Sequence, residues 1–469
     1  MWKITERIDI AAAPETVFDY LSRFETVQEW DPGVLTARRR TPGPPAVGSR
    51  VDVTLRFGWR RVPMTYEVKA MQRPGELVLE GRGAGFTAGD RIVLERIPNG
   101  TRLTYQVVVR FSKPPSRIAD AGLRLVFQIS ARRAIRRLRA MLAGAAKPPR
   151  LTLMTRLADR SILVGMLGFT RAGFHLAKAR LPAASGLYSG RTMVLTGGTA
   201  GIGRAAAADL YNRCAHLVVV GRSAQKLQAL QKELMAMNGG GRIETETADM
   251  SLTADVRDLA VRLMRRHPKI DVLIHNAGAL FNDYGKTAEG IERTLATDLL
   301  GPYLLTGLLR PALEAAGGAR VILVASGGMY TQKIRVDDLQ SAAGPYNGPV
   351  AYARAKRGLV ILAGVWARQL ARVGIGVHAM HPGWVDTPGL RRSLPGFQRF
   401  LAPVLRTPDQ GADTIVWLAA SADAGRTSGG FWLDRKLRAT HVFPGTRETP
   451  GERRRLIAAL DGLTRQAGD

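Results

Sequence analysis

Hydrophobic and polar positions follow two different rhythms along this chain. Over roughly the first 111 residues the dominant period is two. Trp2, Ile4, Ile8 and Ile10 stand among polar residues, an alternation that predicts a strand with one buried face. Pro14-Glu-Thr-Val-Phe-Asp-Tyr-Leu21 interrupts it with a helix opened by proline, with Val17, Phe18 and Leu21 on one side. Trp30-Asp-Pro-Gly33 reads as a turn. Strands are predicted near 50–57, 63–71, 76–81, 90–96 and 102–110, separated by turn signals such as Arg73-Pro-Gly75. Asn99-Gly100 between the last two runs is a hairpin signal. The period then changes, and a long helix is predicted over about 115–143. Ile118, Leu125, Val126, Ile129 and Leu138 recur on one side of it. Arg132, Arg133, Arg136, Arg137 and Arg139 crowd its end, where cations suit the helix dipole.

Ala143-Gly-Ala-Ala-Lys-Pro-Pro149 has the composition of a boundary. Residues 151–181 are amphipathic and basic, with Leu157, Ile162, Leu163, Met166, Leu167, Phe169 and Phe174 among Arg and Lys. This segment reads as helix packed on its own domain, or else as one lying on a membrane surface. From about 186, short apolar runs alternate with helical stretches. The runs are Thr192–Thr196, Leu217–Val220, about 242–248, Asp271–Ile274, Arg320–Ala325 and Gly376–Met380. That pattern predicts an α/β, doubly wound parallel sheet of the Rossmann kind, with ligands at the carboxyl ends of its strands. The expected organisation is therefore 1–146, an α+β domain; 147–185, a linker with the basic segment; and 186–469, the Rossmann domain.

Composition narrows the partners. The net charge of +29 is spread along all 469 residues and comes mainly from Arg. It reads first as solvated basic faces, and second as attraction to an anionic membrane surface or acidic partner. No nucleic-acid motif accompanies it, so nucleic acid is not an expected partner. The single cysteine, Cys214, excludes an internal disulfide framework. No secretory signal and no apolar run of about 18 residues is present, which predicts a cytoplasmic protein, with peripheral membrane contact as the variant. No metal site is expected.

The candidate chemistry lies in the third region. In Tyr352-Ala-Arg-Ala-Lys356 a phenol and an ammonium stand four apart, on one helix face. A nearby positive charge lowers a phenol's pKa and suits it to proton exchange with an alcohol or carbonyl. After the first strand, Thr196-Gly197-x-Thr199-x-Gly201-Ile202-Gly203 puts glycines where backbone must turn tightly beside a pyrophosphate at a helix N-terminus. Other strands end at Asp249-Met250, at Asn276-Ala277-Gly278, at Ser326 and at His381-Pro382-Gly383.

These motifs resemble the short-chain dehydrogenase/reductase family over about residues 186–450. Gly197, Gly201 and Gly203 match its phosphate loop, Asp249 its adenine-recognising residue, and Asn276-Ala277-Gly278 its N-A-G element. Ser326, Tyr352 and Lys356 match its catalytic residues, and Pro382-Gly383 with Thr387 its nicotinamide-side element. Ser326-Gly-Gly-Met-Tyr-Thr-Gln-Lys333, Asp337-Asp-Leu-Gln340, His381-Pro-Gly-Trp-Val-Asp-Thr-Pro388, Asp434-Arg-Lys436 and the lead-in Phe169-Thr-Arg-Ala-Gly-Phe174 look like the member-twelve dehydrogenase/reductase group. The resemblance implies that Ser326 holds the substrate oxygen and Tyr352 exchanges its proton. Lys356 would bind the nicotinamide ribose and lower the phenol's pKa.

Where the family usually has Asn, this chain has Asp298, which would order a water beside Lys356 while raising that lysine's pKa. The second strand ends in Gly221-Arg222 instead of an acid, favouring NADP(H) over NAD(H) through pairing of Arg222 with a 2′-phosphate. Residues 327–349 form a loop between Ser326 and Tyr352, either closing over substrate or packing on the surface.

Residues 1–146, with Pro14-Glu-Thr-Val-Phe18 and the Trp30 turn, resemble the SRPBCC (START-like, polyketide-cyclase-like) helix-grip fold. That implies an apolar cavity and a hydrophobic small-molecule ligand. The expected function is an oxidoreductase interconverting an alcohol and a carbonyl on a hydrophobic molecule. The alternative is a nucleotide-binding sensor or lipid-binding scaffold with an idle site. A homodimer is implied only by analogy with related folds.

Overall fold

A computed structural model describes the chain except residues 1, 11, 58–59, 84, 99, 113–127, 129, 133, 136–137, 139–150, 152–166, 179–189, 214–215, 238–239, 426 and 467–469. The chain forms two compact units, Met1–Ala146 with Ser421–Arg426, and Lys147–Ala420 with Thr427–Asp469.

In the first unit, β1 (Trp2–Ile10) leads into the helices α1 (Pro14–Ser22) and α2 (Val27–Trp30). The strands β2 (Val34–Arg39), β3 (Arg50–Phe57), β4 (Arg60–Gln72), β5 (Glu76–Gly83), β6 (Phe86–Ile97) and β7 (Gly100–Phe111) follow. All seven join one antiparallel sheet in the order β1-β7-β6-β5-β4-β3-β2. β6 and β7 turn tightly, pairing at Ile97↔Gly100, where the hairpin signal stood; Asn99 itself lies outside the described residues. The sequence reading missed β2. Its inward residues Val34 and Ala37 are three apart, because a bulge between Val34 and Thr36 shifts the register and breaks the period of two.

The sheet's inner face and α1 enclose a core that includes Val17, Phe18, Trp30, Leu79, Ile92 and Leu103. Ala134, Ile135 and Leu138 add helical, buried positions to it, within the predicted long helix. Arg132 on the same stretch donates to Glu6 at 3.1 Å. Ile118, Leu125, Val126, Ile129, Arg133, Arg136, Arg137 and Arg139 lie outside the described residues.

The second unit opens with α3 (Arg171–Lys178) and then alternates strand and helix. Its elements are β8 (Thr192–Thr196), α4 (Gly201–Asn212), β9 (His216–Gly221), α5 (Ala224–Ala236), β10 (Arg242–Thr247), α6 (Thr253–Arg266) and β11 (Val272–His275). They continue with α7 (Gly301–Leu308), β12 (Arg320–Val324), α8 (Gly348–Gln369), β13 (Gly376–Met380), α9 (Pro388–Ser393), α10 (Pro395–Leu401) and α11 (Pro408–Ala420). Two further strands, β14 (Gly430–Leu433) and β15 (Lys436–Leu437), precede α12 (Pro450–Gln466).

The sheet order is β10-β9-β8-β11-β12-β13-β14-β15, parallel except for β15. The six strands expected from the apolar runs are present. β14 and β15 extend the sheet unforeseen, since each is only a few residues long. Central strands read as continuous apolar runs because both faces are covered: Met193–Leu195 and Val321–Leu323 are all fully buried. The strand order reverses between β8 and β11, and ligands of such sheets bind where that happens.

Of the amphipathic segment, Leu167 is exposed and Phe174 buried, while Leu157, Ile162, Leu163 and Met166 lie outside the described residues, as does Cys214. Among the described residues no helix is long and apolar enough to cross a membrane.

Candidate active site

The carboxyl ends of β8 and β11 are locked together by backbone chemistry. Asn276 Nδ2 donates to the carbonyls of Thr196 at 3.2 Å and Gly197 at 2.9 Å. The Thr196 hydroxyl accepts from the backbone N–H groups of Asn276 and Ala277, both at 3.1 Å. Gly197 adopts φ 70°, and a Cβ there would stand 2.7 Å from Ala277 Cα. The loop and the N-A-G element are therefore too close for any side chain at Gly197. A Cβ at Gly203 would likewise overlap the Gly197 carbonyl oxygen. The result is a bare backbone cradle at the N-terminus of α4, the arrangement that a pyrophosphate requires. Thr199 lies toward the end of β9, its methyl 3.2 Å from where a Gly221 Cβ would be. Thr387 closes the opposite side, its Cγ2 3.1 Å from a Cβ built on Gly201. Thr387 also caps α9, accepting from Leu390 N–H at 3.1 Å. Ile202 faces α11, within 3.2 Å of a Cβ built on Gly411.

At the end of β10, Asp249 accepts from Ser251 N–H and hydroxyl at 2.9 and 2.8 Å, while Met250 is buried. Arg222, two-thirds exposed, stands 3.8 Å from Asp249. The two polar residues expected on the adenosine side are thus adjacent.

On α8, Tyr352 and Lys356 share a face, as their spacing predicts. Lys356 Nζ sits 5.4 Å from the Tyr352 ring centroid, 3.0 Å from Asp298 Oδ1 and 3.2 Å from the carbonyl of Val324 at the end of β12. Asp298 is carried by a π-helical turn, Ala296–Leu300, a rare geometry that re-aims side chains at functional sites. Its carboxylate also accepts from Ala279 N–H at 3.1 Å. A Cβ at Gly278 would collide with the Asp298 carboxylate and stand 2.8 Å from Lys356 Nζ, so this glycine makes room for the ion pair. Asp298 and Lys356 are buried, at 0% and 3% side-chain exposure.

Burial pushes the Asp298 carboxyl up, to about 6, against the pull of Lys356. Burial pulls the Lys356 ammonium down, but Asp298 and Tyr352 reverse that and hold it above its ordinary value. Tyr352 corrects the sequence expectation. Lys356 does lower the phenol's pKa, and a hydrogen bond with Ser326 lowers it further, but burial outweighs both and Asp298 adds to the rise. The net direction is upward. Ser326 Oγ accepts from Gly328 N–H at 3.3 Å.

The loop between Ser326 and Tyr352 is fastened down at several points. Tyr330 donates to Ala439 carbonyl at 2.7 Å, Tyr346 to Glu292 at 2.9 Å, and Arg357 to Met329 carbonyl at 2.9 Å.

One constellation escaped the sequence reading. Buried Arg406 forms a two-point ion pair with buried Asp434, at 2.6 and 2.9 Å. It also donates to the carbonyls of Gly168, Phe169, Thr170 and Pro382 at 2.5 to 3.3 Å. Gly383, at φ 82°, leaves space for that guanidinium. The clamp fixes Phe169 with its ring 4.5 Å from His381 and 5.6 Å from Trp384, centroid to centroid, and 3.2 Å from a Cβ built on Gly327. An aromatic wall therefore stands one residue from Ser326. In the sequence Phe169 reads as an apolar position of the amphipathic segment and, with Asp434, as a mark of a subgroup; nothing in their spacing announces a shared arginine.

Residues 191–395 match the family model described as short chain dehydrogenase. The chain is 40% identical over 279 residues to dehydrogenase/reductase SDR family member 12 of Bos taurus, covering 59% of this chain and 87% of that protein. The chain belongs to the short-chain dehydrogenase/reductase family. This short-chain dehydrogenase/reductase acts on CH–OH or C=O groups with a nicotinamide cofactor. It is also 31% identical over 269 residues to retinol dehydrogenase 14 of Mus musculus, covering 54% of this chain and 80% of that one. A solved structure described as an NAD(P)-dependent gluconate 5-dehydrogenase from Beutenbergia cavernae, with NADP bound at low occupancy, aligns at 26% identity and TM-score 0.44 over 53% of this chain and 97% of that chain. Residues 1–143 match the model described as polyketide cyclase / dehydrase and lipid transport, and the first unit is of the SRPBCC helix-grip type.

Proposed function

We propose that this short-chain dehydrogenase/reductase interconverts an alcohol and a carbonyl on a hydrophobic small molecule, favours NADP(H), and carries an N-terminal domain that binds an apolar ligand. The observation that bears most of this reading is the convergence of Ser326, Tyr352, Lys356 and Asp298 at the mouth of the glycine cradle. The bare backbone at Gly197, Gly203 and Gly278 fits a dinucleotide, whose nicotinamide supplies or takes the hydride when bound.

In this reading the chain's own residues manage the oxygen and its proton. The Ser326 hydroxyl holds the substrate oxygen. Tyr352 donates its phenolic proton to that oxygen in reduction and takes it back in oxidation. Lys356 offsets the phenolate's charge and presents N–H donors to a ribose. Asp298 holds Lys356 in place through the ion pair. Phe169 and Trp384 line the approach with aromatic surface, suited to an apolar substrate. The test is Tyr352→Phe. Turnover of NADPH with a panel of apolar aldehydes and ketones should fall by about 10²–10⁴, with NADPH affinity retained. Unchanged turnover would remove Tyr352 from the chemistry.

Arg222 supports the cofactor preference because it is exposed beyond β9, free to swing from Asp249 to a 2′-phosphate. Arg222→Ala should cut the ratio of NADPH to NADH efficiency about tenfold, the worth of one charge-assisted hydrogen bond. An unchanged ratio removes the preference.

In the first unit, Trp30 Nε1 and Asp90 Oδ2 are buried without a hydrogen-bond partner among the described residues. Such atoms suit a ligand with an apolar body and one polar group. Covalent fusion would raise the effective concentration of a shared ligand. If residues 186–469 alone match the full chain in KM and kcat, that coupling does not exist.

A further inference from the structure

We propose that His216, Glu244 and His267 bind one divalent cation of the zinc class, at the opposite end of the sheet from the candidate active site. His216 is the first residue of β9, Glu244 lies early in β10, and His267 follows α6 directly. Their donor atoms all lie within 4.8 Å of one another. His216 Nε2 is 2.9 Å from Glu244 Oε1, and His267 Nε2 is 3.3 Å from Glu244 Oε2. A tetrahedral zinc with bonds of about 2.0–2.2 Å needs donors about 3.3 Å apart, so small side-chain adjustments complete the set. Two imidazoles and one carboxylate, with a fourth position open to solvent, form a recognised zinc ligand set. Softer or larger cations fit this set less well.

The surrounding charges permit it. Buried Glu246 pairs with Arg262 at 2.9 Å and Arg266 at 2.7 Å, which offsets the positive charge of both beside the cluster. Arg242 pairs with Glu244 at 3.0 Å, but its side chain is 74% exposed and can turn into water when a cation replaces it. A bound cation would join β9, the edge strand β10 and the end of α6.

The test uses the untagged full chain, stripped with EDTA and desalted, then titrated with Zn²⁺ by calorimetry and followed by thermal melting. The expected result is one Zn²⁺ per chain with a raised Tm. Glu244→Gln and His267→Ala should each weaken binding by at least about tenfold, the floor set by loss of a mere supporting contact, and abolish the Tm rise. His216→Gln, at a partly exposed position, keeps a polar side chain in place and should do the same. NADPH turnover should not change in any of them. No stoichiometric uptake by the parent chain, or equal uptake by all three variants, would overturn the site.

Discussion

Each unit of this protein buries an aspartate beside tyrosine, and the two are treated differently. Asp298 in the second unit is 0% exposed and Asp90 in the first is 2% exposed. Asp298 meets a cation, Lys356 at 3.0 Å, together with a backbone N–H. Asp90 accepts the Tyr105 hydroxyl at 3.0 Å, leaves Oδ2 unpartnered, and has no cation beside it among the described residues. Burial raises both carboxyls, Asp298 to about 6 and Asp90 to about 7. The charge of Lys356 works against the rise at Asp298, whereas at Asp90 only the hydroxyls of Tyr105 and Tyr66 do. The lesson is one of division of labour. The second unit sets a buried lysine beside its carboxylate, which in the proposed mechanism keeps charge in place for proton exchange, and the first keeps an acid that is half neutral at physiological pH, a hydrogen-bonding spot in an apolar core.

Removing the cation should make Asp298 resemble Asp90, with the largest effect of all. Lys356→Met leaves a buried carboxylate unpaired, which costs about 3–5 kcal/mol in comparable cases. Turnover should fall by at least about 10² because the phenol loses its counter-charge. The carboxyl's pKa rises further in this variant, so the folded state holds its proton over a wider range. Stability is then lost as pH rises from about 4 through that raised value, and urea melts should show a smaller deficit at pH 5 than at pH 8. Adding Asp298→Asn should recover most of the stability and none of the turnover. A single variant as stable as the parent chain at pH 8 would mean that Asp298 is not held as an ion.

The converse experiment removes the acid that has no cation. Asp90's folded pKa, about 7, lies above its ordinary 3.8. The folded chain therefore binds the extra proton between those values, and stability falls as pH rises from about 4 to about 7, then levels off. Asp90→Asn keeps an acceptor for Tyr105 and abolishes that slope. It should be close to neutral at pH 4 and stabilise the protein by up to about 4 kcal/mol at pH 8, read by urea melts. Loss of stability at pH 8 would mean that the first unit uses Asp90 as a carboxylate after all.

The contrast also marks what was legible in the sequence. Tyr352, Lys356, Gly197 and Asn276 could be read because each sits at a strand end or on one helix face, within a short spacing that backbone geometry enforces. Asp298 was legible as a departure from a family pattern, but the π-helical turn that aims it was not, since no residue code marks an extra residue in a helix. Asp90 looked like any polar position on an alternating strand. Arg406 and Asp434, like His216, Glu244 and His267, come from separate elements that only the completed sheet brings together. The direction of Tyr352's pKa failed for a related reason: the sequence shows the neighbouring ammonium, while burial, the larger effect, belongs to the fold.

The mildest substitution sharpens the comparison furthest. Asp298→Asn swaps one oxygen for an amide and keeps the shape that Gly278 accommodates. Its remaining oxygen can still accept from Ala279 N–H, so the site should stay assembled. The carboxylate's charge raises both Lys356 and Tyr352. Without it the phenol ionises more readily. In alcohol oxidation, where Tyr352 must be deprotonated to take the proton, the rising limb of the kcat/KM profile should move toward lower pH. A single buried charge at this range supports a shift on the order of one pH unit. The same chemical change is thus read as a gain in stability at Asp90 and as a displaced pH profile at Asp298. A profile that stays in place would mean that solvent already screens Asp298 from the phenol, despite its complete burial.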